Sequence, residues 1–140
     1  MIKKHLLPIC LAFILLLSFS ACNDIAPENN ASDIKVSSSV TALGEGETSF
    51  VFSVVTADGE KTVFNISTSK KYVGEALKEH NLIDGEEGQF GLYVKTVDSI
   101  SYDYEKDGKY WAFYVDGEYA LAGVDKTEIK NDSSYMFKAE

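Results

Sequence analysis

Hydrophobic and polar residues alternate with a period of two over much of the chain beyond residue 48. Residues 50–55 and 63–66 form two such runs, and the dipeptide Asp58-Gly59 separates them. Because Asp-Gly accepts the positive φ angles of a tight turn, this pattern predicts a β-hairpin. Further runs predict strands over residues 91–97, 99–104, 110–115, 119–122 and 134–139, with Asp-Gly turns at residues 107–108 and 116–117.

A single segment between these strands changes to a helical period. Val73, Ala76 and Leu77 fall on one helical face, and Asn81 tolerates the left-handed conformation at a helix end. His80 lies in the last turn, where a capping role at the negative end of the dipole is favoured over a role as general base. A hairpin, one short helix and several strands together predict an α+β domain with a small, β-grasp-like mixed sheet.

The first 21 residues predict a targeting segment that is not part of the fold. Lys3 and Lys4 precede an apolar run over residues 6–19, which is too short to span a bilayer comfortably and is typical of a signal-peptide core. The segment Phe19-Ser20-Ala21-Cys22 resembles the bacterial lipobox, at which the signal is cleaved and the cysteine receives lipid. Ordinary secretion with Cys22 as a free thiol is the alternative, but a free thiol is unusual in an oxidising compartment. We therefore expect a bacterial lipoprotein, anchored through Cys22 at the extracytoplasmic face of the cell membrane.

The rest of the chain divides by composition into a tether and a domain. Residues 22–47 are rich in Asn, Ser, Asp, Glu and Gly, which is the composition of a flexible tether. Residues 48–140 carry the strand and helix patterns and predict the folded domain. Cleavage after residue 21 would remove Cys10, so no disulfide could form within the mature protein and a packed core must stabilise it.

Charge and motif content argue against several classes of function. The formal net charge is -9 and the chain has no arginine, so we expect no nucleic-acid partner. No nucleophile elbow, phosphate loop or metalloprotease helix motif occurs, and we expect that the protein is not an enzyme. Residues 103–108 begin like a calcium loop, but Tyr114 stands where a bidentate glutamate is needed. A solvated loop is therefore favoured there, and we expect no metal site.

Three segments carry a resemblance to a known family. They are Tyr110-Trp111-Ala112-Phe113-Tyr114, Leu121-Ala122-Gly123-Val124, and Ile129-Lys130-Asn131-Asp132 before Tyr135-Met136-Phe137. In order and spacing they are similar to the small C-terminal β-domain of transcobalamin and intrinsic factor, and Val73-Gly74-Glu75-Ala76-Leu77 looks like the helix motif of that family. The same pattern marks a bacterial family of transcobalamin-like C-terminal domains of unknown function, often found on secreted and lipid-anchored proteins. The resemblance covers residues 48–140.

The resemblance implies a set of candidate ligand-binding residues. In the animal carriers, this domain and a large helical barrel close on cobalamin from two sides, and residues 48–140 are too few to include the barrel. Trp111, Phe113, Tyr114 and Leu121 lie in segments similar to the ligand-facing part of that domain. Tyr119 joins them because a phenol can keep its hydroxyl in water while it presents a ring. Packing in the core is the alternative role for Trp111 and Phe113.

Two hypotheses of different classes follow. In the first, the protein is a cell-surface, non-catalytic module that captures a small planar ligand, either a corrinoid such as cobalamin or another small molecule, and hands it to a membrane transporter. In the second, the domain is a protein–protein interaction or adhesion module that binds through its sheet edge or an aromatic patch. Neither hypothesis requires a bound cofactor.

Overall fold

The computed structural model of the chain describes residues 35–140, with side chains from residue 39 onward. The predicted signal segment and the predicted lipidation site at Cys22 therefore lie outside the described residues. The described part contains nine strands and two short helices. In chain order these are β1 (Lys35–Leu43), β2 (Thr48–Val55), β3 (Glu60–Thr68), α1 (Val73–Glu79), β4 (Ile83–Gly88), β5 (Gly91–Val97), β6 (Ile100–Ser101), α2 (Tyr104–Asp107), β7 (Trp111–Val115), β8 (Glu118–Tyr119) and β9 (Ser134–Ala139).

Two sheets make up the domain. The larger has six strands in the order β1-β3-β2-β9-β7-β8, and the smaller has the order β4-β5-β6. In the larger sheet β1 runs parallel to β3, and β2 runs parallel to β9, while the other neighbours are antiparallel. The predicted α+β class, with a mixed sheet and a short helix after the first hairpin, is confirmed.

One hydrophobic core connects the two sheets and helix α1. Alternate residues of the large sheet, among them Phe52, Phe64 and Phe137, are buried in this core. Leu77 of α1 and Val97 of β5 belong to the same cluster and are fully buried. The helix and the smaller sheet therefore cover the apolar face that the period-two pattern predicted.

Helix α1 has the boundaries that its sequence favours. The Glu75 side chain accepts a hydrogen bond of 3.4 Å from the backbone N–H of Tyr72, the N-cap residue. After the C-cap at His80, Asn81 adopts a φ of 54°, as predicted for a residue that ends a helix. Because Gly74 N–H donates to the carbonyl oxygen of Val124 at 2.9 Å, this helix also holds the chain that follows β8.

Three elements differ from the sequence-based expectation. Residues 35–43, within the predicted tether, form strand β1, because their backbone pairs with β3 and Leu43 packs against the core. Residues 84–88, which lie outside the strands predicted from the sequence, belong to β4, which pairs with β5 across a shift in register after Asp84. Within the predicted loop before β7, Asp103 accepts a hydrogen bond from the N–H of Glu105 and starts the four-residue helix α2.

Strand β7 lies closer to the edge of its sheet than its sequence indicated. Residues 110–115 are apolar or aromatic on both faces, which is typical of a central strand, but β7 has β9 on one side and only the two-residue strand β8 on the other. Trp111 and Phe113 belong to the hydrophobic core, which also contains Val94 and Val97 of the smaller sheet and Val124 from the segment after β8, whereas Tyr114 is half-buried. Much of one edge of β7 is therefore not covered by a strand.

Candidate functional site

A hollow of about 270 Å³ lies along this edge of β7, and we call it the β7 hollow. Trp111 and Phe113 line it from β7, with Phe137 behind them on β9. Tyr119 at the end of β8 and residues 120–124 after it line a second side, and residues 92–94 of β5 line a third. The hollow is thus built from both sheets and has a largely aromatic and aliphatic lining.

The hollow exists because β7 and β8 separate soon after their turn. Asp116 and Gly117 have positive φ angles of 50° and 87°, which gives the tight hairpin turn that the Asp-Gly dipeptide predicted. The N–H of Ala120 still donates to the carbonyl oxygen of Phe113 at 2.9 Å. Beyond it the chain enters a turn, in which the N–H of Lys126 donates to the carbonyl oxygen of Gly123 at 3.0 Å. Residues 120–124 therefore move away from β7 and leave space between.

The aromatic floor of the β7 hollow is held rigidly. Trp111 is only 6% exposed, and its indole Nε1–H donates to the carbonyl oxygen of Ile100 at 3.2 Å. The ring of Tyr102 packs against the indole with a centroid distance of 4.9 Å. Phe113 packs against Phe137 at 5.0 Å between ring centroids. Trp111 and Phe113 thus serve the core and line the hollow at once, so the two roles considered for them are compatible.

Tyr119 and Leu121 form an exposed ridge at the mouth of the β7 hollow. Tyr119 is 56% exposed and Leu121 is 105% exposed. Both side chains also border a second hollow of about 390 Å³, which Val115, Glu118 and other residues line. A fully exposed leucine contributes nothing to the core, so the apolar surface of this ridge is free to contact a ligand or partner.

Tyr114 does not line the β7 hollow, unlike the other four predicted ligand-binding residues. It alternates with Phe113 along β7, and its hydroxyl donates to Glu140 Oε1, which also accepts from Lys138 Nζ at 3.1 Å. The hydrogen bond to Glu140 raises the pKa of Tyr114 to about 12, and the same bond lowers the pKa of Glu140. Tyr114 contacts the site only through its ring, which lies edge-on to that of Tyr119 at 5.4 Å.

Sequence reasoning missed the wall that β5 supplies. Leu92, Tyr93 and Val94 line the β7 hollow, although they are far from β7 in the chain. The alternation of residues 91–97 indicated a strand, but nothing in one sequence indicates that this strand packs beside β7. Gly123, which was also not predicted as a site residue, lines the hollow and has no side chain to fill it.

Neither a metal-binding cluster nor a membrane-spanning helix is found in the part of the chain that the structure describes. Within residues 35–140, no three His, Cys, Asp or Glu side chains are grouped so that they could hold a metal ion. Neither α1 nor α2 has the length and apolar character needed to cross a bilayer.

Comparisons with known proteins connect this geometry to a family. The sequence profile of the family described as Domain of unknown function (DUF4430) matches residues 71–140, which include α1, β7, β8 and the β7 hollow. A crystal structure from Ruminococcus gnavus ATCC 29149, of a protein to which metal binding is ascribed, is 31% identical with a TM-score of 0.64. The match covers 67% of this chain and 97% of that one.

A second solved structure shares the fold at lower identity. Haptocorrin, crystallised in complex with Cbi, is 17% identical to the chain with a TM-score of 0.51. The match covers 70% of this chain but only 26% of haptocorrin, so most of haptocorrin has no counterpart here. No curated protein matches the chain.

Proposed function

Given that the chain belongs to the DUF4430 family, we propose that it is a non-catalytic module that binds a small planar or apolar ligand at the β7 hollow. The observation that carries the proposal is the exposed ridge of Tyr119 and Leu121 above a rigid aromatic floor. Exposed apolar surface beside a shaped hollow is the usual property of a binding site.

The size of the hollow limits how a ligand can bind. Complete pockets for drug-sized ligands have volumes of about 300–1,000 Å³. At about 270 Å³, the β7 hollow accepts one ring or one side group and cannot enclose a macrocycle. A corrinoid would insert a single group and lie against the Tyr119–Leu121 ridge, so the chain forms one wall of a site. The fold shared with haptocorrin supports a corrinoid such as cobalamin as the first ligand to test.

A metal ion is a poorer candidate as the ligand. The described residues contain no group of metal-ligating side chains, and two of the carboxylates at helix α2 accept backbone hydrogen bonds. Asp103 Oδ1 accepts from the N–H of Glu105 at 3.0 Å, and Asp107 Oδ2 accepts from the N–H of Asp103 at 2.8 Å. Residues 35–140 therefore do not fit a metal centre, although metal binding is ascribed to the Ruminococcus gnavus protein.

The proposal also includes the place where the module works. Lipid on Cys22 would hold the domain at the extracytoplasmic face of a bacterial membrane, and the residues between the cysteine and β1 would give it reach. A captured ligand would there be close to a membrane transporter. A protein partner at the same ridge is the second candidate, and the exposed side chains of Tyr93, in the β5 wall, and of nearby Phe90 favour it.

The sole tryptophan of the chain provides the test. We expect cobinamide to quench the fluorescence of Trp111 in the purified protein with a saturable curve, after correction for ligand absorbance with free N-acetyltryptophanamide. Ala122→Phe places a ring beside the hollow, of which Ala122 is a lining residue, and should weaken the quenching. Ala42→Phe adds the same ring to an exposed position of β1, at the opposite end of the larger sheet, and should not. The absence of saturable quenching at millimolar cobinamide would exclude the corrinoid, and recovery of a protein partner from membrane extracts would favour the second candidate.

A further inference from the structure

The backbone of β7 turns hydrogen-bonding groups toward the β7 hollow. Tyr110 lies just before β7 and Glu140 just after β9, and these two residues exchange two backbone hydrogen bonds of 2.9 and 3.0 Å. In an antiparallel pair such residues alternate with residues whose N–H and C=O groups point the other way. Trp111 and Phe113 therefore direct their backbone groups away from β9, toward residues 120–124. The hydrogen bond from Ala120 to the carbonyl oxygen of Phe113 confirms this direction.

The ladder between β7 and β8 stops before these groups are used. Its register pairs Val115 with Glu118 and Tyr114 with Tyr119. If that register continued, Trp111 would lie opposite Ala122, and the two would exchange hydrogen bonds. Several backbone groups at this point have no backbone hydrogen-bond partner among residues 35–140. They are the N–H and C=O of Trp111, the N–H of Phe113, and the N–H and C=O of Ala122. We call the Trp111–Ala122 position the open rung.

The open rung and the hollow occupy the same place. Trp111, Phe113 and Ala122 all line the β7 hollow, so a group inside it meets both unpaired backbone and the aromatic floor. Ala122 is exposed, so backbone groups at the open rung that lack a protein partner are accessible to water and can hydrogen-bond to it. A ligand that displaces water from the hollow must therefore replace those hydrogen bonds or lose affinity.

We infer that the β7 hollow selects ligands that carry a carboxamide on an apolar body, with the carboxamide occupying the open rung. A carboxamide has an N–H donor and a C=O acceptor, as a peptide group does, so it can pair with the backbone on both sides of the gap. A carboxylate offers acceptors only, so its oxygen would be repelled by the backbone carbonyl oxygen of the open rung. The inference rests on the proposed function, since it specifies the ligand class of the same site.

Three small probes of similar shape separate the contributions. Benzamide has a ring, a donor and an acceptor; N,N-dimethylbenzamide has the ring and the acceptor; and toluene has the ring alone. We expect benzamide to bind the protein about tenfold more tightly than either of the others, which corresponds to one to two net hydrogen bonds. In ¹⁵N–¹H spectra, benzamide should shift the backbone amide protons of Trp111 and Phe113 downfield. Ala122→Phe should abolish these shifts, and Ala42→Phe, on β1 at the opposite end of the sheet, should leave them unchanged.

The other outcomes separate this inference from the function on which it rests. If all three probes perturbed the Trp111 indole with equal affinity, the hollow would bind rings without the open rung, and the inference would be overturned while the proposed function stood. If cobinamide quenched Trp111 but benzamide produced no amide shift, the carboxamide selectivity would again be overturned and ligand binding at the hollow would stand. If neither cobinamide nor any probe perturbed the hollow, both would be overturned.

Discussion

The substitution Leu121→Ser separates binding from folding. Leu121 is 105% exposed, so the substitution uncovers no apolar area, and the free energy of unfolding should change by less than about 0.5 kcal/mol. A ligand that covers the whole side chain would bury a leucine's worth of apolar surface, about 1.5–3 kcal/mol. Loss of that contact should raise the dissociation constant by about 10- to 150-fold. A ligand that covers half of the side chain would lose about half of that free energy.

The assay needs two measurements on the same proteins. Urea unfolding gives the free energy of unfolding, and titration with cobinamide, followed by Trp111 fluorescence, gives the dissociation constant. Phe90→Ser is the matched control, because Phe90 is 82% exposed and does not line the β7 hollow. It should leave both quantities unchanged. The reasoning would be refuted if Leu121→Ser left the dissociation constant unchanged, or if it lowered the free energy of unfolding by more than about 1 kcal/mol.

Three other changes test the fold, the hydrogen bond near the site and the anchor. Phe52→Ala should lower the free energy of unfolding by about 3–5 kcal/mol in urea, because Phe52 is fully buried, whereas Phe90→Ala should not. The pKa of Tyr114 is raised to about 12, so its hydrogen bond to Glu140 stabilises the protein fully below the unfolded tyrosine pKa, and this stabilisation is lost as pH rises above that value and through the folded pKa. The pKa of Glu140 is lowered, so its contribution to stability is present above the unfolded glutamate pKa and is lost as pH falls through the folded pKa. Tyr114→Phe should weaken the pH dependence of stability in both ranges, which unfolding curves measured across pH would show. Cys22→Ser should move the protein from the membrane fraction to the soluble fraction of the producing bacterium.

Local signals in the sequence predicted the hairpins and the helix well. The Asp-Gly turn at residues 116–117 has the positive φ angles that its residues favour, and Asn81 ends α1 as expected. These features depend on neighbouring residues, so one sequence contains them. Strand β1 was not predicted, because its pairing with β3 is a tertiary contact and its serine-rich composition matches that of a tether.

The candidate site could be predicted only in part for the same reason. The resemblance to the transcobalamin family indicated Trp111, Phe113 and Leu121, and the amphipathic character of a phenol added Tyr119; the structure brings these four residues together. It also indicated Tyr114, which alternation along β7 turns toward Glu140 instead. Neither the β5 wall nor the open rung has a sequence signal, because both depend on how separate strands pack and on where a ladder stops.

The most direct test of the proposed site is a map of ¹⁵N–¹H chemical-shift changes in the protein on titration with cobinamide. Our prediction is that the chemical-shift changes are centred on Trp111, Phe113 and residues 119–123, and that they saturate at the same ligand concentration as the quenching of Trp111 fluorescence. Changes centred instead on the hollow lined by Ser49 and Asn65, or no changes at millimolar ligand, would contradict it.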